Sequence, residues 1–435
     1  MLLFFYNLLL PFALLASFPF YLRRMLRRGN YARNFGQRFG LYSRRLKAQF
    51  AKGGWTWIRA VSVGEVDMAV RLLQELKRQD PTLKAIISTT TSTGYALGSQ
   101  LAQNQEWIEI IYSPLDFFPI VKSCWSRIRP RQAILIDSDL WPSFLAISRA
   151  SRTPVFLANA RLSLRSERRY RRLRRLAQPL LWRNLTTLFA QDEIDSRRWA
   201  KAGVSPDQIK IIGSMKYDTE DLMALESSPR FVQWLQDRGI AHDRPVLLGG
   251  SLHPGEEALL ISCFKSLKKE FPDLFLILVP RHAERTPEIA KLLEKEQVGF
   301  ALRSNGRLEK STTTLVVDST GELKDWYRVA TVVVVGKSFC GIGGQNPVEP
   351  ILADKPVIAG PHMENFQFLV NELRKGGGII QLESPERLTP VVGDLLRNPG
   401  RASTLVERAA KALAMHKGSI RRTASLILAR KDHIL

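Results

Sequence analysis

From about residue 50 onward, short apolar runs alternate with segments whose apolar residues recur every three or four positions. The runs predict strands over 55–61, 85–89, 107–112, 132–136, 154–158, 187–190 and 210–212. Amphipathic segments such as 66–79 and 117–127 predict helices between them. Strand–helix alternation of this kind builds an open parallel sheet, because each crossover helix covers one face of it. The pattern stops over 217–244, a polar stretch with few strand formers, and restarts with strands over 245–248, 274–279, 313–317, 331–335 and 357–358. The expected fold class is α/β: two doubly wound sheets joined by a hinge and facing a cleft. Ligands of such sheets bind outside the carboxyl ends of the strands. A last helical stretch, 401–429, is expected to cross back onto the first domain.

The amino terminus breaks this rhythm. Residues 1–22 carry no charge. At ~1.5 Å per residue, a helix of that length reaches across a ~30 Å hydrocarbon core. Arg23, Arg24, Arg27 and Arg28 follow at once, which keeps the rest of the chain cytoplasmic. No charge precedes the run and no small-residue cleavage site follows it, so it does not read as a secretory signal. A spanning anchor is the first expectation. A helix lying in the membrane interface is the second, favoured by Pro11, Pro19 and Asn7, and a buried core helix is the third.

Charge narrows the partners. The chain has 64 Lys+Arg against 41 Asp+Glu, a net +23. Residues 1–215 hold 34 and 14 of these, so +20 of the surplus lies there. That half calls for an anionic partner: nucleic acid, membrane phosphate or an acidic substrate. The run from Arg165 to Arg175 concentrates it, with Arg161 just upstream. No nucleic-acid-binding pattern accompanies the charge, so lipid headgroups are the better expectation. Cys124, Cys263 and Cys340 lie far apart and read as buried apolar side chains in a reducing compartment. The six histidines show no metal-ligand spacing.

Several motifs fall at predicted strand ends. Ser62-Val63-Gly64-Glu65 follows the first strand, so Glu65 is either a general base at the sheet edge or an acidic residue suiting a helix dipole. Asp137-Ser138-Asp139 ends another strand; such a pair holds a divalent cation in one class of transferase, or one aspartate caps a turn. Lys216, in Gly213–Asp218, is expected to point into the cleft. Pro280 and Arg281 end a strand, where an arginine suits a phosphate. Thr320, Gly321 and Glu322 open a helix. The glycine-rich stretch from Gly336 to Glu349 reads as a loop with Asn346 as N-cap, Pro347 and Val348 entering a helix, and free N–H groups for a phosphate. Glu349 either closes a capping box or binds ribose hydroxyls. The spacing is not that of a P-loop.

In order along the chain stand SVGEV at 62–66, YSPLD at 112–116, DLWP at 139–142, NARLSLRS at 159–166, GSMKYD at 213–218, SLHPGEE at 251–257, VPRHAER at 279–285, GELKDWY at 321–327, GGQNPVEP at 343–350 and GPHMENF at 360–366. This string resembles the 3-deoxy-D-manno-octulosonic acid (Kdo) transferases, glycosyltransferases of GT-B fold with two Rossmann-like domains. The resemblance implies an inverting, metal-independent transfer of Kdo from CMP-Kdo to a sugar hydroxyl of an anionic lipid A precursor. It implies no cofactor, no nucleic-acid partner, and a place at the cytoplasmic side of a bacterial inner membrane, against its headgroups. Glu65 would be the base, and Asp139 and Lys216 would stabilise the transition state. Pro280, Arg281, Thr320, Gly321, Glu322, Asn346, Pro347, Val348 and Glu349 would bind CMP. The implied division is an anchor over 1–22, an acceptor domain over 23–220, a donor domain over 221–410 and a carboxy-terminal helix over 411–435 packing back on the first domain.

Four positions depart from the family pattern: Asp137 and Asp139 stand where glutamates are usual, Gln345 where histidine is usual, and Lys337 where a glycine is common. Two other readings compete. One is a GT-B enzyme using a UDP- or ADP-sugar. The other is a non-catalytic binder of anionic lipid or nucleic acid.

Overall fold

The computed structural model describes all residues except 29–33, 104, 219–229, 242, 307, 310 and 432–435; side chains at 18, 20–22, 24–28, 430 and 431 are also outside the description. The chain divides into two compact units, Met1–Asp218 with His416–Leu435, and Thr219–Met415.

The first unit holds a parallel sheet of strands β1 (Trp55–Arg59), β2 (Ala85–Thr89), β3 (Ile108–Tyr112), β4 (Pro130–Ile136), β5 (Val155–Ala160), β6 (Thr187–Ala190) and β7 (Ile209–Ile211). Their order is β3-β2-β1-β4-β5-β6-β7. The second holds β8 (Val246–Leu252), β9 (Phe275–Pro280), β10 (Phe300–Leu302), β11 (Thr314–Val316), β12 (Val332–Val335), β13 (Val357–Ala359) and β14 (Ile380–Gln381), in the order β10-β11-β9-β8-β12-β13-β14. In each sheet the winding reverses beside the first strand, between β1 and β4 and between β8 and β12. At such a reversal neighbouring crossovers leave to opposite faces and open a crevice at the carboxyl edge.

The central strands are predominantly apolar because helices cover both faces. Along β1, Trp57 packs on one side with Trp125, Phe144 and Leu157, while Ile58 packs on the other with Val66, Leu73 and Phe156. Each such buried side chain stabilises the unit by ~1.5–3 kcal/mol. β10 and β14 were not expected from the pattern. They are three- and two-residue edge strands, only half buried, and so too short to stand out as apolar runs. The expected final helix is two: Pro399–Ala414 ends, Gly418 turns the chain at φ +70°, and Ser419–Lys431 packs on the helix Val63–Gln79. Cys340 is exposed, unlike Cys124 and Cys263, because it lies on the tip of the glycine-rich loop.

The structure does not confirm the expectation of a spanning anchor. The amino-terminal helix runs Leu2–Arg28. Among the described residues, no helix is long and apolar enough to cross a membrane. Its first two turns are fastened to the first unit: Tyr6 donates to Asp116 (3.0 Å), Asn7 donates to Ser143 (3.1 Å), and the Phe118 N–H donates to Asn7 Oδ1 (2.7 Å). A helix crossing a bilayer could not keep those turns on a domain that stays on one side. On its other side Phe4, Leu8, Leu9, Phe12 and Leu15 are exposed.

Candidate active site

At the carboxyl edge of the first sheet, β1 runs through Ala60-Val61 into the helix Val63–Gln79. Ser62 caps that helix by accepting from the Glu65 N–H (3.3 Å), and Glu65 reaches back to accept from the Val61 N–H (2.8 Å) and the Ser62 hydroxyl (2.9 Å). The capping arrangement is thus present, and it fixes the carboxylate at the sheet edge. Burial raises the Glu65 carboxyl to about 6, the Val61 N–H bond opposes this, and the Asp137 and Asp139 carboxylates add to the rise.

Those two aspartates follow β4, the strand across the reversal from β1. Asp137 sits at φ +59° and accepts from Asn159 (2.5 Å), itself at the end of β5 with φ +55°. Burial raises the Asp137 carboxyl, with Asn159, Arg161 and Lys216 opposing. Asp139 accepts from Arg59 Nε at 3.0 Å and from the Trp141 indole N–H. A left-handed residue costs roughly 1–2 kcal/mol and is least unfavourable for Asn and Asp, which gives the short side chain at 137 a backbone reason. The structure therefore brings Asp137 into electrostatic reach of Glu65, Lys216 and Arg161, and Asp139 into reach of Glu65.

Lys216 lies on a single turn, Met215–Tyr217, held from behind. Asn159 accepts from the Met215 N–H (3.0 Å), and His416 Nδ1 accepts from the Ser214 N–H (3.0 Å). Asp218 caps the last helix, accepting from the N–H groups of Gly418 (2.8 Å) and Ile420 (2.7 Å). Burial lowers the Lys216 ammonium, Asp137 opposes and Arg161 adds to the lowering. Sequence reasoning did not find Arg59, Asp116, Asn159 or His416. The available signals were Asp116 and Asn159 inside the motifs YSPLD and NARLSLRS, and a charged residue, Arg59, in a mostly apolar strand.

In the second unit the corresponding edge gathers loops after β8, β9 and β12. Ser251 (φ +56°) and Gly255 (φ +95°) turn the chain so that Glu256 points inward. Its carboxylate, 1% exposed, accepts from the N–H groups of His253 (2.9 Å), Lys337 (2.6 Å), Ser338 (2.9 Å) and Phe339 (3.0 Å). Glu364 accepts from the Gly343 N–H (2.6 Å). The expectation of free N–H groups along this loop is therefore corrected at 337–339 and 343: carboxylates already hold them. A β-carbon at Gly336 would lie 2.2 Å from the Ser251 carbonyl, so this close approach admits only glycine.

Positive charge here comes instead from the side chains of Arg281 and Lys337. His253 lies near Lys337, His282 and Arg281, and burial together with these neighbours lowers its imidazole, against Glu256. Gln345 places its amide nitrogen 3.2 Å from His253 Nε2. An amide nitrogen only donates, so the contact fixes that imidazole nitrogen as an acceptor. Lys337 has φ +57°, a conformation that glycine adopts more readily, which accounts for the glycine common there.

Pro280 ends β9 and is buried, while Arg281 is exposed. Asn346 accepts from the Val348 N–H (3.0 Å) and donates to Glu349 (3.3 Å), a cap as expected, but the helix begins at Val348 and has five residues, with Pro347 as its flanking position. Thr320 and Gly321 are exposed beyond β11; Glu322 accepts from Ser319 (2.5 Å) and lies 3.5 Å from Arg303. The helix Leu323–Val329 packs on Val348–Leu352, which brings Tyr327 into electrostatic reach of Glu349. Among the described residues, no group of three or more His, Cys, Asp or Glu could hold a metal ion.

A family model described as 3-Deoxy-D-manno-octulosonic-acid transferase (kdotransferase) matches residues 33–219. The 3-deoxy-D-manno-octulosonic acid transferase of Haemophilus influenzae is 30% identical over 91% of this chain and 91% of its own length. The protein of the same name from Bordetella pertussis is 31% identical over 89% of each. A crystal structure of a putative UDP-N-acetylglucosamine 2-epimerase from Listeria monocytogenes covers 87% of this chain and 96% of its own, at 11% identity and a TM-score of 0.56, and bears on the fold alone. With two doubly wound units and full-length relatives of one kind, the chain belongs to the family of 3-deoxy-D-manno-octulosonic acid transferases and is a glycosyltransferase.

Proposed function

We propose that the enzyme transfers Kdo from CMP-Kdo to a sugar hydroxyl of a lipid A precursor, with inversion and without a metal. The observation that carries this is Glu65. It sits at the topological reversal of the first sheet with its carboxyl raised to about 6. A base in that range is mostly ionised at neutral pH, yet basic enough to accept a hydroxyl proton as the new bond forms. Inversion needs one displacement and so one base. Asp137 and Asp139 tune Glu65, while Lys216 and Arg161 offer positive charge beside it. Asp139 acts through its pairing with Arg59 rather than as a free carboxylate.

In the second unit Arg281 and Lys337 stabilise the departing CMP phosphate as charge develops on it, with His253 and His282 beside them. Thr320, Gly321, Glu322 and Asn346 to Glu349 take the nucleoside. No metal is called for, because protein cations meet the phosphate and both aspartates already have protein donors. The amino-terminal helix lies in the interface of the inner membrane, on its cytoplasmic side. Its exposed Phe4, Leu8, Phe12 and Leu15 meet the acyl region. Exposed arginines of Leu164–Arg172, interleaved with exposed Leu164, Leu173 and Leu176, meet headgroups and acceptor phosphates.

Mass spectrometry of the product formed from CMP-Kdo and a lipid A precursor tests the reading. Mass added in Kdo units, undiminished in excess chelator, is the expected result. No addition, or addition only from a UDP-sugar, overturns it.

A further inference from the structure

A buried charge network lies behind the proposed site, built on Asp116 and Asp139 of the YSPLD and DLWP motifs. Arg59 ends β1 with its side chain 2% exposed. Its Nε holds Asp139, its guanidinium lies 5.1 Å from the Phe144 ring centre, and its Nη1 is buried without a hydrogen-bond partner. An arginine so placed needs a second anion nearby. Asp116, 4% exposed, is that anion by its electrostatic effect. It accepts from the N–H groups of Ser143 (2.9 Å) and Phe144 (2.9 Å), and so caps the helix Pro142–Ala150. Its remaining donor is the Tyr6 hydroxyl (3.0 Å).

The same helix start carries Trp141, the other donor to Asp139. Asn7 grips the same region through Ser143 and Phe118. Both supports of the Asp139 carboxylate therefore rest on Asp116, and Asp116 rests in part on the membrane-facing helix. Burial raises the Asp116 carboxyl to about 6, and the donors around it, Tyr6 among them, keep it from rising further.

We infer that Tyr6 is a positioning residue: seating of the amino-terminal helix on the first unit orients Asp139 through Asp116 and Arg59, so turnover depends on that helix being docked. The inference rests on the proposed reading of Asp139 as part of the site. It gives the helix a second task besides holding the enzyme at the membrane: an enzyme whose helix has left the domain loses the alignment of its site.

The test uses the full-length enzyme on vesicles of phosphatidylethanolamine and phosphatidylglycerol, with CMP-Kdo and a lipid A precursor. Tyr6→Phe is expected to lower kcat about tenfold, with both KM values and the vesicle-bound fraction within twofold of the parent. Arg59→Lys, which keeps the charge and loses the Nε geometry, is expected to lower kcat in the same way. A Tyr6→Phe enzyme that turns over normally once vesicle-bound overturns the inference, as does a loss explained wholly by reduced vesicle binding. Asp139→Asn separates the two levels. If it leaves kcat unchanged, the reading of the site falls. If it lowers kcat while Tyr6→Phe and Arg59→Lys do not, only the coupling falls.

Discussion

Glu65 shows how one residue serves structure and chemistry together. Its carboxylate closes the cap of the helix that follows β1, and that cap is what holds it at the sheet edge. Its acidity follows from burial first and from two neighbouring carboxylates second. The sign of the pH effect is fixed by the role of base. Only the ionised form accepts a proton, so transfer is expected to rise as pH passes through about 6 and to level off above it. Glu65→Gln removes the base and is expected to lower kcat by roughly 10²–10⁴-fold while CMP still binds. A pH–rate profile flat from 5 to 8, or full activity in the Gln variant, contradicts the assignment. Positions that depart from the family find local reasons: Asp137 occupies left-handed backbone, and Gln345 still pairs with His253.

At the scale of elements, the glycine-rich loop after β12 is organised by Glu256, not by an absent ligand. One buried carboxylate gathers N–H groups from two loops and locks β8 to β12 at their carboxyl ends. Glu256→Gln replaces one acceptor oxygen by an N–H donor facing other donors. It is expected to cost roughly 2–4 kcal/mol, since charge-assisted bonds are the stronger class and the orphaned donors are buried. Urea unfolding followed by calorimetry measures this. Weakened CMP binding should accompany the loss, because Lys337 and His253 are held by the same carboxylate. A variant as stable as the parent, with unchanged affinity, contradicts this account of the loop. The last helix acts likewise in the first unit, where Asp218 and His416 fasten the turn that carries Lys216.

At the scale of the molecule, charge and apolar surface belong to one side of the argument. The surplus of +20 lies in residues 1–215, and the arginines from Arg165 to Arg175 are exposed. Each arginine near an anionic bilayer contributes about 1 kcal/mol at most. Replacing Arg168, Arg171, Arg172 and Arg175 by Gln is expected to weaken partition onto phosphatidylglycerol vesicles by roughly a hundredfold or more. Partition onto neutral vesicles should change little, and salt should reduce the difference. Equal binding of parent and variant to anionic vesicles places the headgroup contact elsewhere.

By itself the sequence determined the two parallel sheets, because both-face burial makes the central strands predominantly apolar. It also determined the kind of enzyme, because ten motifs in order survive at the strand ends where chemistry is done. Sequence separation hid the rest. Asp116 and Tyr6 stand 110 positions apart, and His416 meets Ser214 across 202. The glycine loop read as open because its partner, Glu256, lies 81 positions upstream of Lys337. Hydropathy along the amino-terminal run counts side chains and not what they touch. Only the tertiary structure decided that two of its polar side chains, Tyr6 and Asn7, dock on the domain, since a hydrogen bond between distant elements leaves no periodic trace in either of them.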